Sequence, residues 1–463
     1  MKSENDLSGT GSTEITERVH RLMPDVLRDL NRLIIYPSVA FPGYPPEPVR
    51  AMSSATADLL RAYGIPHIRE IEIPGGYPLV YGEIPAPPGA PTVFMYAHYD
   101  VQPAKTEGWD TDPWTPVVKD GRLYGRGSAD DKSGILTNAA SVRCYNGHPP
   151  VGVKVVVEGE EETISHLPSF VQAHPDLFQC DLFVINDNGN LMVGDPALTT
   201  TLRGEVSCRI TVTTLDHPVH SGSFGGPAPD ALVSLIRILA TLHDAKGDVA
   251  ISGLLSYPDE KREFPESLFR QISGMKEGVD LIGSGNLSSR LWSKPSATVI
   301  GIDAPSVKEA SNILIPKATA VVSMRIAPGA DPERELQLLI DHLRRAAPWN
   351  VLVDIQKISA SPGFICPTGG AGFVAARQAM ELAFGRPATE IGAGGSIPLV
   401  EILRQTVPEA EFILWGSGDL AQSRIHGTNE SVDIREIERM ITSQSIFLQL
   451  LGDKKKSTGH CES

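Results

Sequence analysis

The sequence predicts an α/β fold: a mostly parallel β-sheet sandwiched by helices, with an inserted α+β domain. Three observations support this class. The chain has 463 residues, which is too long for one ordinary domain. Ahead of residue 204, apolar runs typical of buried strands alternate with helical patterns, as they do in a parallel sheet. Beyond that point the strands alternate apolar and polar residues, which is typical of a sheet with one solvated face.

The first part of the chain alternates helical periodicity with continuous apolar runs. Strands that are buried on both faces read as such runs, and here each run is separated from the next by a helical pattern. This order is that of βαβ units, whose strands are parallel. The predicted elements are helices over 14–35, 47–63, near Ser133–Tyr145 and near His166–Ala173, and strands over Thr92–Ala97, Val153–Val157 and Leu182–Ile185.

A change of pattern marks the inserted domain. Strands with one polar face, each followed by a helix, indicate an α+β sandwich, and the apolar strand pattern of the first part returns near the end. The predicted domains are therefore 1–203, 204–365 and 366–463, with the first and third forming one unit. The elements after residue 203 are strands over 206–214, Ala320–Ile326 and 351–356, an apolar run at Phe412–Leu414, and helices over Pro229–Leu242, Pro332–Ala346, from Gly370, and Ile434–Leu451.

Composition and charge disfavour several classes of partner and indicate a compartment. The formal net charge of −15 disfavours nucleic acid and anionic membranes as ligands. The N-terminus has no apolar core of a signal peptide, and no run of about 18 apolar residues would span a membrane. The five cysteines are scattered and form no CxxC pair, as expected of reduced thiols. These features predict a cytoplasmic protein.

Acidic residues and a histidine follow the apolar runs. The run 155–157 leads into the acidic stretch 158–162, "EGEEE", which taken alone is typical of a solvated turn. His98 and Asp187 follow the neighbouring runs, and Asp130 lies between two of them. Because the carboxyl ends of parallel strands meet at one edge of a sheet, we expect these side chains to converge. A shared cation would compensate their charge, and imidazole with carboxylate favours zinc or manganese.

Six motifs along the chain resemble, in their order and spacing, those of the M20 metallopeptidases. They are "AHYDVQP", "YGRGSADDKSG", "VEGEEETIS", "INDN", "HSGSFGG" and "HGTNE". The resemblance extends from about Leu30 to Leu451 and is greatest to the dipeptidases of the carnosinase type. It implies a catalytic domain of the zinc-peptidase type. The inserted domain would be its lid and would also carry the dimer contact of a homodimer.

The resemblance also implies a site for two divalent metal ions, with zinc expected and manganese or cobalt as alternatives. One ion would be held by His98 and Asp187, the other by Glu162 and His426, and both by Asp130. Glu161 would be the general base and acid, acting on a hydroxide that bridges the ions. Asp100 would orient His98. The resemblance further implies a cis peptide bond between Asp130 and Asp131.

Four further residues are implied to contact the substrate. His220, from the lid of the partner subunit, would stabilise the oxyanion, and Arg325 would bind the terminal carboxylate. Gly395 and Ser396, in "GGSIP", would line the pocket.

The expected reaction is hydrolysis of the amide bond of a dipeptide or short peptide. An N-acyl-amino-acid deacylase and an amide-forming enzyme of the same fold remain alternatives, although the long segment 254–274 favours a dipeptidase lid. A non-catalytic binding protein should have lost a ligand or the base, and here all are present.

Three departures from the family pattern are visible. Ser133 replaces a glycine, and Thr163-Ile164 replaces Ser-Gly. Both lie beside predicted metal ligands, and we expect them to alter packing. Gly392-Ala393 replaces Arg-Glu and bears on the substrate, because it directly precedes "GGSIP".

Overall fold

A computed structural model describes residues 6–259, 264–395 and 397–458 and divides the chain into two compact units. The first unit comprises Met1–Thr200, Cys366–Ile391 and Ile402–Ser463. The second comprises Thr201–Ile365 and Gly392–Glu401. The segment 392–401 therefore clusters with the second unit, although its sequence neighbours on both sides belong to the first.

The strands and helices of the described residues are numbered in chain order. The strands are β1 (Arg69–Ile71), β2 (Leu79–Ile84), β3 (Thr92–His98), β4 (Val117–Lys119), β5 (Arg122–Tyr124), β6 (Gly152–Glu158), β7 (Leu182–Ile185), β8 (Gly189–Asn190), β9 (Ala197–Leu202), β10 (Gly204–Thr213), β11 (Val219–His220), β12 (Ser296–Asp303), β13 (Ile313–Leu314), β14 (Lys317–Ile326), β15 (Leu352–Ser361), β16 (Phe364–Ile365), β17 (Thr389–Ala393), β18 (Glu411–Leu414), β19 (Gly418–Asp419) and β20 (Ser431–Asp433). The helices are α1 (Asp6–Ile34), α2 (Glu47–Ala62), α3 (Lys132–Arg143), α4 (Leu167–Ala173), α5 (Ser221–Phe224), α6 (Ala231–Leu239), α7 (Glu266–Ser273), α8 (Leu287–Trp292), α9 (Pro332–Arg345), α10 (Ala371–Phe384), α11 (Pro398–Thr406) and α12 (Ile434–Thr458).

The main sheet of the first unit has a parallel centre. Strands β6, β3, β7 and β18 are parallel neighbours, and β3, β6 and β7 are buried almost throughout, which explains their continuous apolar sequences. On one side β2 and then β1 add antiparallel strands, and on the other side β9 pairs antiparallel with β18. The predicted α/β fold is confirmed, and the sheet is mixed. The strands beside the parallel centre pair antiparallel, and an apolar run in the sequence does not show in which direction a strand pairs with its neighbour.

Helices bury the central strands. Helix α3 packs on β3 and also contacts α1 and α12, so all its residues from Lys132 to Val142 are buried. Helix α2 packs on β2, and α10 packs on α12 and β18. No helix within the described ranges combines the length and apolar character that crossing a membrane requires.

The second unit is an α+β sandwich. Its antiparallel sheet has the order β12-β14-β10-β15, and helices α6 and α9 pack on it. Strand β14 alternates between buried and partly exposed residues, as its sequence predicts. Helix α6 begins after Asp230, whose carboxylate accepts hydrogen bonds from the backbone N–H groups of Val233 (2.9 Å) and Ile315 (2.8 Å). At the edge of the sheet, β12 leaves Ile300 64% and Ile302 48% exposed.

A close backbone contact fixes the edge of the main sheet where β7 and β18 end. Gly416 lies just beyond β18, and a Cβ atom there would be 1.9 Å from the carbonyl oxygen of Asn188. The N–H of Asn188 also donates to the carbonyl of Trp415 (3.2 Å). A side chain at position 416 would therefore push on the segment that contains Asp187.

We expect Gly416→Ala to lower the free energy of unfolding by about 1–3 kcal/mol, because the added methyl group overlaps backbone that cannot rotate away. Urea denaturation measures this change. The control is Gly369→Ala, whose Cβ would meet nothing within 4 Å, and it should change stability by less than about 0.5 kcal/mol. Equal stability of the two variants would contradict the close contact.

Candidate metal centre

The sheet brings three strand ends together in the first unit. Strand β3 lies between β6 and β7, and all three run parallel. His98 ends β3, Glu161 and Glu162 follow β6, and Asp187 follows β7. The carboxyl ends of parallel strands thus deliver imidazole and carboxylate groups to one edge, where open α/β sheets bind ligands.

Asp130 lies between two imidazoles. Its Oδ1 is 2.9 Å from Nε2 of His98, and its Oδ2 is 3.0 Å from Nε2 of His426. Nε2 of His98 is also 3.7 Å from Oδ1 of Asp187, and Nε2 of His426 is 3.1 Å from Oε2 of Glu162. One carboxylate therefore joins two imidazole–carboxylate groups, and each of its oxygens faces one group.

Asp100 connects His98 to the acidic stretch. Nδ1 of His98 lies 3.1 Å from the carbonyl oxygen of Asp100 and 3.4 Å from its Oδ1. The Asp100 carboxylate also accepts hydrogen bonds from the N–H groups of Glu161 (3.1 Å) and Glu162 (3.0 Å). With Nδ1 turned to these acceptors, Nε2 of His98 is oriented toward Asp130 and Asp187, an arrangement found behind metal-binding histidines.

A second ion pair holds the loop that carries His426. Arg126 donates to Glu430 (2.6 Å) and to the carbonyl oxygens of His426 (3.3 Å) and Gly427 (3.1 Å). The Glu430 carboxylate also accepts from the N–H of Asp130 (3.2 Å). This pair, buried on both sides, joins the loop of Asp130 to the loop of His426, although about 300 residues separate them. Sequence reasoning noted Glu430 only as part of the motif.

Asp131 is the acidic group that sequence reasoning missed as a candidate ligand. Its side chain lies with those of His98 and Asp187 in a group whose ligand atoms are all within 4.8 Å of one another. Oδ2 accepts from the N–H of His98 (3.3 Å), while the buried Oδ1 has no hydrogen-bond partner. The peptide between Asp130 and Asp131 is cis, as the resemblance implied. The doubled aspartate in "SADDKSG" was the available signal.

Burial and mutual repulsion raise the pKa values of several carboxyl groups in this cluster. Burial, reinforced by the charge of Asp187, raises the pKa of Glu161 well above its ordinary value. Burial likewise raises the pKa of Asp131 strongly and that of Asp187 to about 6. These carboxyl groups lie too close together to be ionised without compensation.

Hydrogen bonds between imidazoles and carboxylates also shift the pKa values in this cluster. Burial also acts to raise the pKa of Asp130, but hydrogen bonds from His426 and His98 outweigh it and hold that pKa below the ordinary value. Hydrogen bonds to Asp130 and Glu162 raise the pKa of His426 to about 10. Two imidazoles cannot neutralise this many acids. The donor set of two imidazoles and several carboxylates, with one orphaned oxygen on Asp131, therefore fits divalent cations.

The remaining predicted residues belong to the second unit. His220 is exposed at the start of α5, and its Nδ1 accepts hydrogen bonds from the N–H groups of Gly222 (3.1 Å) and Ser223 (3.2 Å). Arg325 lies on β14, opposite Glu205 and Ser296. Gly395 is exposed, with nothing within 4 Å of a Cβ position, and Ser396 lies outside the described residues.

The structure gives physical reasons for two of the departures. The buried hydroxyl of Ser133 donates a hydrogen bond to the carbonyl of Ala129 (3.3 Å) and accepts one from the hydroxyl of Ser417 (2.7 Å). The serine side chain is therefore held in the interior by two hydrogen bonds. Trp292 occupies the space in front of Gly392, because a Cβ there would be 2.5 Å from the tryptophan side chain. An arginine at position 392 would not fit against this tryptophan. In the third departure, Thr163-Ile164, the Ile164 side chain is 80% exposed.

The fold and the paired imidazole–carboxylate groups are those of a metal-dependent enzyme. Residues 94–449 match the family described as Peptidase family M20/M25/M40. The chain belongs to this family and binds divalent metal.

Named relatives and a solved structure agree with this assignment. A cysteinylglycine-S-conjugate dipeptidase from Corynebacterium striatum is 37% identical over 372 residues, which cover 78% of this chain and 82% of that protein. A Beta-Ala-His dipeptidase from Rattus norvegicus is 29% identical over 378 residues, covering 77% and 76%. The solved di-peptidase Dug1p from Saccharomyces cerevisiae shares the fold with a TM-score of 0.83 at 24% identity, covering 96% of this chain and 99% of that chain.

We expect Asp130→Ala to lower both the bound divalent metal and the rise in melting temperature that added zinc causes. The variant removes the one side chain that faces both groups, and metal that binds only the folded chain stabilises it by mass action. Elemental analysis and thermal melts with and without zinc measure the two effects. Asp58→Ala is the control, because that side chain is 78% exposed on α2. Full metal content and an unchanged zinc effect in Asp130→Ala would contradict the shared-ligand geometry.

Proposed function

We propose that this chain is a metal-dependent dipeptidase that hydrolyses the amide bond of dipeptides or short peptides. The observation that carries the proposal is the Asp130 carboxylate, which faces the His98 imidazole with one oxygen and the His426 imidazole with the other. Membership of the peptidase family and the dipeptidase names of two relatives support it.

Two divalent ions would be held by the two groups that share Asp130. His98 and Asp187 form one group, and Glu162 and His426 form the other. Zinc is the expected metal for such donors, with manganese or cobalt as alternatives. When bound, such ions activate water and polarise the carbonyl group of the substrate.

Glu161 is the residue proposed to move the proton. Its backbone N–H is held by Asp100 (3.1 Å), and its carboxyl group shares a charged environment with Asp187. Burial raises its pKa, which favours proton uptake by the carboxylate. Glu161 would take a proton from the attacking water as the water oxygen bonds to the carbonyl carbon of the substrate. It would then give the proton to the amine nitrogen as the C–N bond breaks.

The second unit would supply the contacts to the substrate. Because Nδ1 of His220 accepts two backbone hydrogen bonds, the neutral ring carries its proton on Nε2, which is then a donor for the oxyanion. Arg325 would bind the terminal carboxylate as a charge-assisted pair, and Gly395 and Ser396 would line the pocket.

The proposal includes a cytoplasmic homodimer formed through the lid, which is the second unit. The exposed isoleucines at the edge strand β12 support this contact, since an unpaired apolar edge favours association with another strand.

A hydrolysis screen tests the proposed function. Dipeptides and N-acyl amino acids are offered to the metal-loaded protein, and metal content is measured on the same sample. We expect the dipeptides to be cleaved, whereas preference for N-acyl amino acids would identify a deacylase instead. Glu161→Gln should retain metal and lower kcat by about 10²–10⁴-fold. Near-normal turnover of this variant would refute the role of Glu161.

A mixing experiment tests whether His220 acts on the partner subunit. Glu161→Ala and His220→Ala should each be nearly inactive, and removal of one oxyanion donor costs about 10²–10³-fold in rate. In a mixed dimer, one site would combine an intact Glu161 with an intact His220 from the other chain. We expect activity to return toward half of wild type per mixed dimer. Mixed dimers that form but stay inactive would exclude action on the partner.

A further inference from the structure

Arg203 is a buried arginine with no acidic partner among the described residues. It directly precedes β10, and only 9% of its surface is exposed. Its Nε donates to the carbonyl of Gly394 (3.2 Å), and its Nη1 donates to the hydroxyl of Ser296 (3.1 Å) and the carbonyl of Lys294 (3.4 Å). All three acceptors are neutral. Burial of a charge without an opposite charge is costly, so the missing partner needs an explanation.

A second positive group lies nearby. Ser296, which accepts from Arg203, is the cross-strand neighbour of Arg325, so the Ser296 and Arg325 side chains share one face of the sheet. Burial, together with the charge of Arg325, lowers the pKa of Arg203 to about 10. The acid on β10, Glu205, accepts hydrogen bonds from the hydroxyls of Ser323 (2.9 Å) and Ser359 (2.6 Å). The region thus places two guanidinium groups near each other.

One nitrogen of the Arg203 guanidinium has no hydrogen-bond partner among the described residues. Nη2 makes no hydrogen bond within the described ranges, and a Cβ at Gly394 would be only 3.1 Å from it. The preceding residue, Ala393, contributes its carbonyl oxygen to the N–H of Arg203 (3.3 Å) but carries no charged side chain. The loop therefore supplies backbone acceptors and leaves one guanidinium nitrogen for a ligand.

We propose that Arg203 is a second anion-recognition residue, which together with Arg325 binds the C-terminal carboxylate of the substrate. This inference rests on the proposed function, which assigns that carboxylate to Arg325. A carboxylate has two oxygens and can accept from two guanidinium groups at once. Its negative charge would also supply the partner that Arg203 lacks in the chain.

Steady-state kinetics of Arg203→Gln test the proposal with L-alanyl-L-leucine and L-alanyl-L-leucinamide. Loss of a charged hydrogen bond should raise KM for the free acid about 10- to 100-fold and change kcat little. The amide should lose less than about twofold. Arg203→Lys keeps the charge and should recover part of the loss. Arg290→Gln is the control, since Arg290 also donates to backbone carbonyls of this unit, and it should leave both substrates unchanged.

A second variant gives Arg203 an acidic partner within the chain. Ala393→Glu places a carboxylate beside the guanidinium, and we expect it to raise KM for the free acid as Arg203→Gln does, without loss of melting temperature or metal. If Arg203 were purely structural, Arg203→Gln would lower the melting temperature and raise KM equally for acid and amide, and Ala393→Glu would not raise KM for the free acid selectively. That result would overturn the proposal.

A binding measurement separates this inference from the proposed function. L-leucine should raise the melting temperature of the metal-loaded wild type more than L-leucinamide does, and Arg203→Gln should reduce this difference. If the wild type hydrolyses no dipeptide but shows this difference, the proposed function fails and the anion site stands. If dipeptides are hydrolysed and Arg203→Gln affects acid and amide equally in both assays, so that the difference seen in the wild type remains, the anion site fails alone.

Discussion

The repulsion among buried carboxylates at the edge of the main sheet is the constraint on which the first unit depends. Asp130, Asp131, Glu162 and Asp187 lie within a few ångströms of two imidazoles, and burial alone would favour their neutral forms. Burial and the neighbouring carboxylates raise the pKa values of Glu161 and Asp187. Divalent metal binding supplies compensation that these side chains leave incomplete.

The surrounding fold keeps these groups in position against their repulsion. Asp100 binds the backbone of Glu161 and Glu162, and Glu430 with Arg126 binds the loops of Asp130 and His426. Each supporting carboxylate accepts several N–H groups, so its burial is compensated by hydrogen bonds. The ligand positions therefore depend on connections between segments that are distant in sequence.

The second unit has the opposite electrostatic character around Arg203. Two arginines share one region, and the loop beside them offers neutral backbone. The packing of Trp292 against Gly392 explains why β17 has no side chain at that position. The departure at Gly392-Ala393 therefore has two consequences. It makes room for an aromatic side chain, and it leaves Arg203 without an acidic neighbour at position 393.

The sequence by itself determined the α/β class, the central strands, and the placement of His98, Asp187 and the acidic stretch 158–162 at the ends of those strands. Local patterns encode these features, because buried parallel strands are continuously apolar and their carboxyl ends share one edge. Only the tertiary structure decided which oxygen of Asp130 faces which imidazole, that Asp131 joins His98 and Asp187, and that Arg203 donates to neutral acceptors among the described residues. These facts depend on contacts between residues up to about 300 positions apart, and a single sequence does not record which distant side chains meet.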